Sequence, residues 1–163
     1  MKMTKRILAV LALALAWSAP APCADDRGAI AGARELKAVF DIREGDGKAL
    51  LNRLTVIEET REALLAQGVT PRLILAFRGP ATKLIQTDPA KIRPEDREIA
   101  AVIATKLDEM RDAKGVEGIE LCEVAIRGQG TKVENVIPAV KVVGNTFISL
   151  MAYQSRGYAY ISP

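Results

Sequence analysis

Histidine is absent from all 163 residues, and that one absence removes a large part of catalytic chemistry. Neither a Ser-His-Asp nor a Cys-His arrangement exists without it, and a zinc site would have to be assembled from carboxylates and a single thiolate. Cysteine is nearly as scarce, at two residues, Cys23 and Cys122. Phosphate-binding glycine motifs are missing too. The stretch Arg127, Gly128, Gln129, Gly130, Thr131, Lys132 does not directly follow a strand pattern and lacks dinucleotide or P-loop spacing, so it reads as an ordinary loop. No internal repeat or low-complexity tract interrupts the chain. No cofactor and no metal are expected from this inventory.

One uninterrupted apolar run exists, Ile7 to Ala16, and it is too short to span a bilayer. Lys2, Lys5 and Arg6 precede it and the small residues Ser18, Ala19, Ala21 and Ala24 follow, the layout of a secretory signal. Residues 1–24 are therefore expected to be a signal peptide. Pro22 would sit just after a cut at Ala21, which favours cleavage near Cys23 or Ala24. Cys23 as a lipid-anchored residue is the second reading; Pro22 stands where such signals need a small residue. A periplasmic protein follows, with no membrane attachment after cleavage.

The surplus of positive charge belongs to that leader. It contains three of the 23 basic residues and none of the 20 acidic ones, so the remainder is balanced at 20 of each. The electrostatic footprint for a phosphate backbone is missing, and nucleic acid is not an expected partner. The 139 residues that remain of 163 suit one domain with its own core. If Cys23 leaves with the leader, Cys122 has no disulfide mate in its own chain even though export would favour one.

Residues 25–34 are small and polar without periodicity, a flexible leader ahead of a domain over 35–163. Leu36 to Ile42 is rich in β-formers and ends at the charged, glycine-containing segment Arg43 to Gly47. Leu50, Leu51, Leu54, Ile57, Leu64 and Leu65 recur at helical steps before Gly68, predicting a helix over about 48–67. Arg72 to Phe77 is apolar on both faces, as buried parallel strands are. Arg78, Gly79 and Pro80 break it, and a short helical turn is expected over Ala81 to Ile85.

Pro94 suits the first position of a second long helix, about 94–113, with Glu95 and Asp96 in its first turn and Ile99, Val102, Ile103, Leu107 and Met110 as its buried stripe. Ile119 to Cys122 reads as a strand, Val124 to Ile126 as a helical turn, and Ala139 to Val143 as a further strand. Asn145 is a plausible N-cap for a last helix whose inner face is expected to be Phe147, Ile148 and Met151, and Tyr158 to Ile161 closes the sheet. Strand and helix alternate about five times, which implies an α/β protein with a parallel sheet covered on both faces.

Ligands of parallel sheets gather at the carboxyl ends of the strands. Asp41, Glu44 and Asp46 end the first strand there, and Arg78 ends the second, able to hold an anion or merely a neighbouring carboxylate. Cys122 stands where a strand hands over to a helix. The unpaired N–H groups of a helix N-terminus favour a thiolate and Arg127 adds positive charge, whereas Glu123 works against it. On that reading the sulfur is open to solvent at the sheet rim; the alternative is a packed cysteine acting as a small hydrophobe.

The stretch Leu121, Cys122, Glu123, Val124, Ala125, Ile126, Arg127, Gly128, with Val136 to Val140 and Gly157, Tyr158, Ala159, Tyr160, Ile161, resembles the DsrE/DsrF-like family of sulfur-relay proteins in an exported branch. Val39, Phe40, Asp41, Ile42 with Gly45 and Asp46, and the Phe77, Arg78, Gly79, Pro80 turn, fit the same pattern. The resemblance implies a flavodoxin-like three-layer sandwich with a mostly parallel sheet of about five strands. It also implies homo-oligomers such as trimers or hexamers, and a cysteine, aligned with Cys122, that accepts and passes on a persulfide. Glu123 departs from that pattern, as does the signal peptide.

The leading expectation is thus sulfur handling or transfer at Cys122, with Arg127 steadying the anion and Arg78, Asp46 and Gly79 shaping a pocket. The donor or acceptor would be a protein or a small sulfane-sulfur compound. The competing expectation is a non-enzymatic oligomeric module that binds a small ligand or partner, with Cys122 structural. A thiol-disulfide oxidoreductase would need a resolving thiol from another chain.

Overall fold

Every strand of the sheet runs in the same direction, and in space the order is β4-β3-β2-β1-β5. The computed structural model describes residues 26–163, so the expected signal peptide, residues 1–24, lies outside the described residues. The chain divides into two units, Met1–Ala31 and Gly32–Pro163. In the first, residues 27–31 form turns and the Ile30 N–H donates to the Asp26 carbonyl. The second carries the sheet.

The strands are β1 (Glu35–Ile42), β2 (Thr70–Phe77), β3 (Val116–Cys122), β4 (Lys141–Val143) and β5 (Ala159–Ile161). Between them come α1 (Gly47–Ala66), α2 (Arg97–Arg111), α3 (Glu123–Gly128) and α4 (Thr146–Ser155). Among the described residues no helix is long and apolar enough to cross a membrane.

Each long helix starts for a local reason. The Asp46 carboxylate accepts the Ala49 N–H at 2.9 Å and caps α1. Gly47 follows because a Cβ there would lie 2.4 Å from Ile99 Cγ2, so the start of α1 meets α2 at a spacing only glycine allows. Pro94 opens a single 3-10 turn, Pro94–Asp96, that leads into α2. The Asn145 side chain accepts the Phe147 N–H at 2.9 Å and sets where α4 begins.

The first three crossovers step outward in one direction, from β1 to β4, and their helices share one face of the sheet. Leu50, Leu54 and Ile57 of α1, Ile103, Leu107 and Met110 of α2 and Ile126 of α3 pack there on Phe40, Ile42, Leu73, Leu75, Phe77, Ile119 and Leu121. Burying each such side chain contributes about 1.5–3 kcal/mol, so this face holds most of the stability. The last crossover returns from β4 across the whole sheet to β5, which places α4 on the other face over Val39, Ile74 and Ala76, with Leu150 as its inward anchor.

The architecture is therefore a three-layer, flavodoxin-like α/β sandwich with unequal outer layers. The winding reverses between β3, whose connection enters α3 on one face, and β4, whose connection enters α4 on the other. Strand ends part at such a reversal and leave a crevice where open α/β sheets hold ligands.

One expectation is corrected by α4. Phe147, Ile148 and Met151 do not face inward; they are 55%, 63% and 63% exposed. The inward residues are Thr146 and Leu150, one turn apart. The Asn145 cap fixes that phase, and a helix that is apolar nearly all round offers periodicity nothing by which to choose its inner side.

Candidate functional site

Alternation along the strands decides which side chains meet beneath α4. Val39, Ile74 and Ala76 point toward α4, so Asp41 and Arg78 do as well; Ile119 and Leu121 point the other way, so Glu120 and Cys122 join the α4 side. Tyr160 pairs with Val39 in register and shares that face. A polar row thus crosses the carboxyl ends of four strands: Tyr160, Asp41, Arg78 and Cys122, with Glu120 one step deeper.

Cys122 is the residue immediately before α3, in the crevice where the winding reverses. It is a free thiol. Its residue is only 4% exposed, which corrects the expectation of a sulfur open to solvent at the rim. What surrounds the sulfur is not purely aliphatic, however. The Thr146 N–H at the start of α4 donates to Sγ at 3.5 Å. Burial pushes the thiol up, but the N–H groups of Thr146, Ala125 and Val124 and the Thr146 hydroxyl outweigh it, and the thiol lies below its ordinary value of 9.0. Two helix N-termini, α3 from one face and α4 from the other, converge on one sulfur.

One further buried polar atom faces this layer, Glu120 Oε2, which has no hydrogen-bond partner among the described residues. The other Glu120 oxygen accepts from the Tyr153 hydroxyl at 2.7 Å, and burial together with that carboxylate pushes the phenol up to about 12.

Arg78 meets Asp41 as a fork: Nε donates to Oδ1 and Nη2 to Oδ2, both at 2.7 Å. The Tyr160 hydroxyl adds a third donor to Oδ2 at 2.7 Å, and the Asp41 side chain is fully buried. Desolvation works against its charge, but the bonds from Arg78 and Tyr160 and the charges of Arg78 and Arg43 hold the carboxyl below its ordinary value. The Phe147 ring covers the guanidinium at 4.7 Å. Gly79 follows with φ of 57°, a conformation that lets the chain leave β2 sharply and keeps Arg78 at the strand end.

The expected site residues therefore separate. Cys122 and Arg78 are brought together, with Gly79 turning the chain away behind Arg78. Arg127 is not beside the sulfur: its Nη1 donates to Glu123 Oε1 at 2.6 Å along the exposed side of α3, the i,i+4 pair that two such residues form on any short helix. Asp46 does not border the sulfur layer either; it caps α1 and lines a groove with Lys48, Arg93 and Asp96. Tyr160, Thr146, Phe147 and Glu120 were not singled out as site residues, while Asp41 was weighed with Glu44 and Asp46 as an acid at the ligand edge. Only Asp41 carried a signal, as an acid at the end of an apolar strand. Among the described residues no cluster of acids and thiol is arranged to hold a metal ion.

No family model matches the chain. An uncharacterized protein of Aquifex aeolicus (strain VF5) is 30% identical over 130 residues, 79% of this chain and 56% of that protein, so the chain spans about half the length of this relative. Among solved structures, the protein of unknown function MTH1491 from Methanobacterium thermoautotrophicum superposes with a TM-score of 0.56 at 20% identity, covering 78% of this chain and 99% of that one. That likeness shows the fold.

Proposed function

We propose that this chain is an exported member of the DsrE/DsrF-like group that handles sulfur as a persulfide on Cys122. The observation that carries the reading is the thiol at the reversal of the sheet, buried yet pulled below its ordinary value by donors from two helix N-termini. In the transfer step the Cys122 thiolate attacks the outer sulfur of a persulfide donor. The donor's S–S bond breaks, a new S–S bond forms to Cys122, and the donor leaves as a thiolate carrying the electron pair. An acceptor thiolate then attacks that outer sulfur and regenerates the Cys122 thiolate, so no external oxidant or reductant is consumed. Thr146, whose N–H and hydroxyl border the sulfur, steadies both anions.

Self-association belongs to the same proposal. Phe147, Ile148 and Met151 form an exposed apolar side of α4, and Val124 of α3 is a further exposed apolar residue (48%), a composition that suits a second copy of this chain rather than water.

The test is intact mass after incubation with a small persulfide donor. A gain of one sulfur atom that Cys122→Ser abolishes supports the proposal; no gain defeats it. One observation favours the competing reading, a binding module with a structural thiol: the 4% exposure of Cys122. In that case the native protein resists both alkylation and persulfide formation, and the thiol reacts only after unfolding.

A further inference from the structure

The sulfur chemistry makes no use of Asp41, yet Asp41 is a fully buried charge held at the carboxyl end of β1. Its fully buried carboxylate accepts three hydrogen bonds of 2.7 Å, two from Arg78 and one from Tyr160. Burying an ion pair costs several kcal/mol in desolvation, and apolar side chains of similar volume often serve stability as well or better. Stability alone is therefore a weak reason for an Asp-Arg-Tyr cluster at this place.

Its location suggests a different reason. Phe77 pairs with Leu121 in the β2/β3 register, Arg78 follows Phe77, and Cys122 follows Leu121. Arg78 and Cys122 are thus neighbours across adjacent strand ends, on strands about 4.8 Å apart, with both side chains on the α4 side. The fork to Asp41 occupies Nε and Nη2, and Phe147 covers the guanidinium. Nη1 is left with no hydrogen-bond partner among the described residues. The charge at Cys122 is among those that raise the Arg78 guanidinium above its ordinary value.

We infer that Asp41 is a positioning residue: by clamping one edge of the Arg78 guanidinium it presents the free Nη1 edge to the negative charge at Cys122. That charge is the thiolate before transfer and the outer sulfur of the persulfide after it. The second half rests on the proposed function; the first holds for the bare thiol. A free arginine would swing toward solvent, whereas the planar fork fixes the direction of the remaining donors. The other charged or titratable groups near the sulfur are Glu120 on β3 with Tyr153 of α4 on its carboxylate, Lys141 in register with Glu120 on β4, and the Glu123-Arg127 pair of α3. None of these bonds to Asp41.

The experiment is a pH titration of the Cys122 thiolate by its ultraviolet absorbance, each variant referenced to its own Cys122→Ser counterpart so that tyrosinate absorbance cancels. Asp41→Asn is expected to raise the midpoint by about one pH unit, the effect of losing an oriented cation. Arg78→Ala is expected to raise it as much, and the double variant no further than Arg78→Ala, because Asp41 acts through Arg78. A lower midpoint in Asp41→Asn overturns the inference, since that is the result of deleting a negative charge beside an unmoved arginine. So does additivity in the double variant. If Asp41→Asn does not fold, Asp41→Glu decides: it keeps the charge and displaces the fork, so a raised midpoint supports positioning and an unchanged one overturns it. The two proposals fail separately. A protein that never gains sulfur but titrates as expected loses the persulfide and keeps the positioning role; one that gains sulfur while Asp41→Asn titrates lower does the reverse.

Discussion

A buried thiol ordinarily stays protonated, because desolvation penalises the anion. At Cys122 the donors of Thr146, Ala125 and Val124 reverse that outcome. The consequence for stability has a definite sign. The folded-state value lies below the ordinary 9.0, so the folded protein holds a thiolate where the unfolded chain still holds a proton. This contribution grows as pH rises through the folded-state value, is complete above 9.0, and is lost as pH falls back through the folded-state value. Urea unfolding of wild type and Cys122→Ser between about pH 7 and about pH 9 is expected to show the wild type gaining stability relative to the variant as pH rises. Parallel curves would mean the sulfur is an ordinary packed thiol. Cys122 and Arg78 were legible from sequence because both stand at the carboxyl ends of apolar strands, a place that topology makes significant. Arg127 was misplaced because an arginine four residues after a glutamate on a helix has a nearer partner than anything across the crevice.

The helices show how a cap can matter more than a hydrophobic pattern. Asp46 is an N-cap and not a member of the sulfur layer. Asp46→Ala should therefore cost about 1 kcal/mol in urea unfolding while leaving the Cys122 titration unchanged; a shifted titration would return Asp46 to the site. On the opposite face, α4 is fastened to β3 by the Tyr153 hydroxyl on Glu120. Tyr153→Phe leaves both oxygens of that buried carboxylate unpaired and is expected to destabilise the fold by about 1–3 kcal/mol, read as a lower urea midpoint. An unchanged midpoint would show that Glu120 finds another partner. The position of α1 and α2 was readable because their apolar residues keep a helical spacing against a wholly apolar sheet face, although Val102, expected in the buried stripe of α2, is 48% exposed. For α4 the expectation of which side faced inward failed, since its neighbours include Arg78, Glu120 and Cys122 as well as aliphatic side chains, and periodicity carries no information about a polar floor.

Among the described residues the two faces of the sandwich are unequal: three helices cover one, and a single ten-residue helix covers the other, with apolar residues on its outer side. If that side meets a second copy, Met151→Lys should shift the protein from oligomer to monomer in light scattering at matched concentration, without altering the Cys122 titration. A monomeric wild type would remove the self-association proposal and leave the site untouched. The sequence alone determined the alternation of strand and helix, the parallel sheet, and the presence of one thiol and one arginine at strand ends. These are local properties, written in apolar periodicity and in the residues that stop each element. Only the tertiary structure decided that the chain reverses its winding between β3 and β4. That reversal brings the N-terminus of α4 to the sulfur over a separation of 24 residues and Tyr160 to Asp41 over 119. No local pattern encodes such encounters, because they follow from the direction in which the last crossover returns over the sheet.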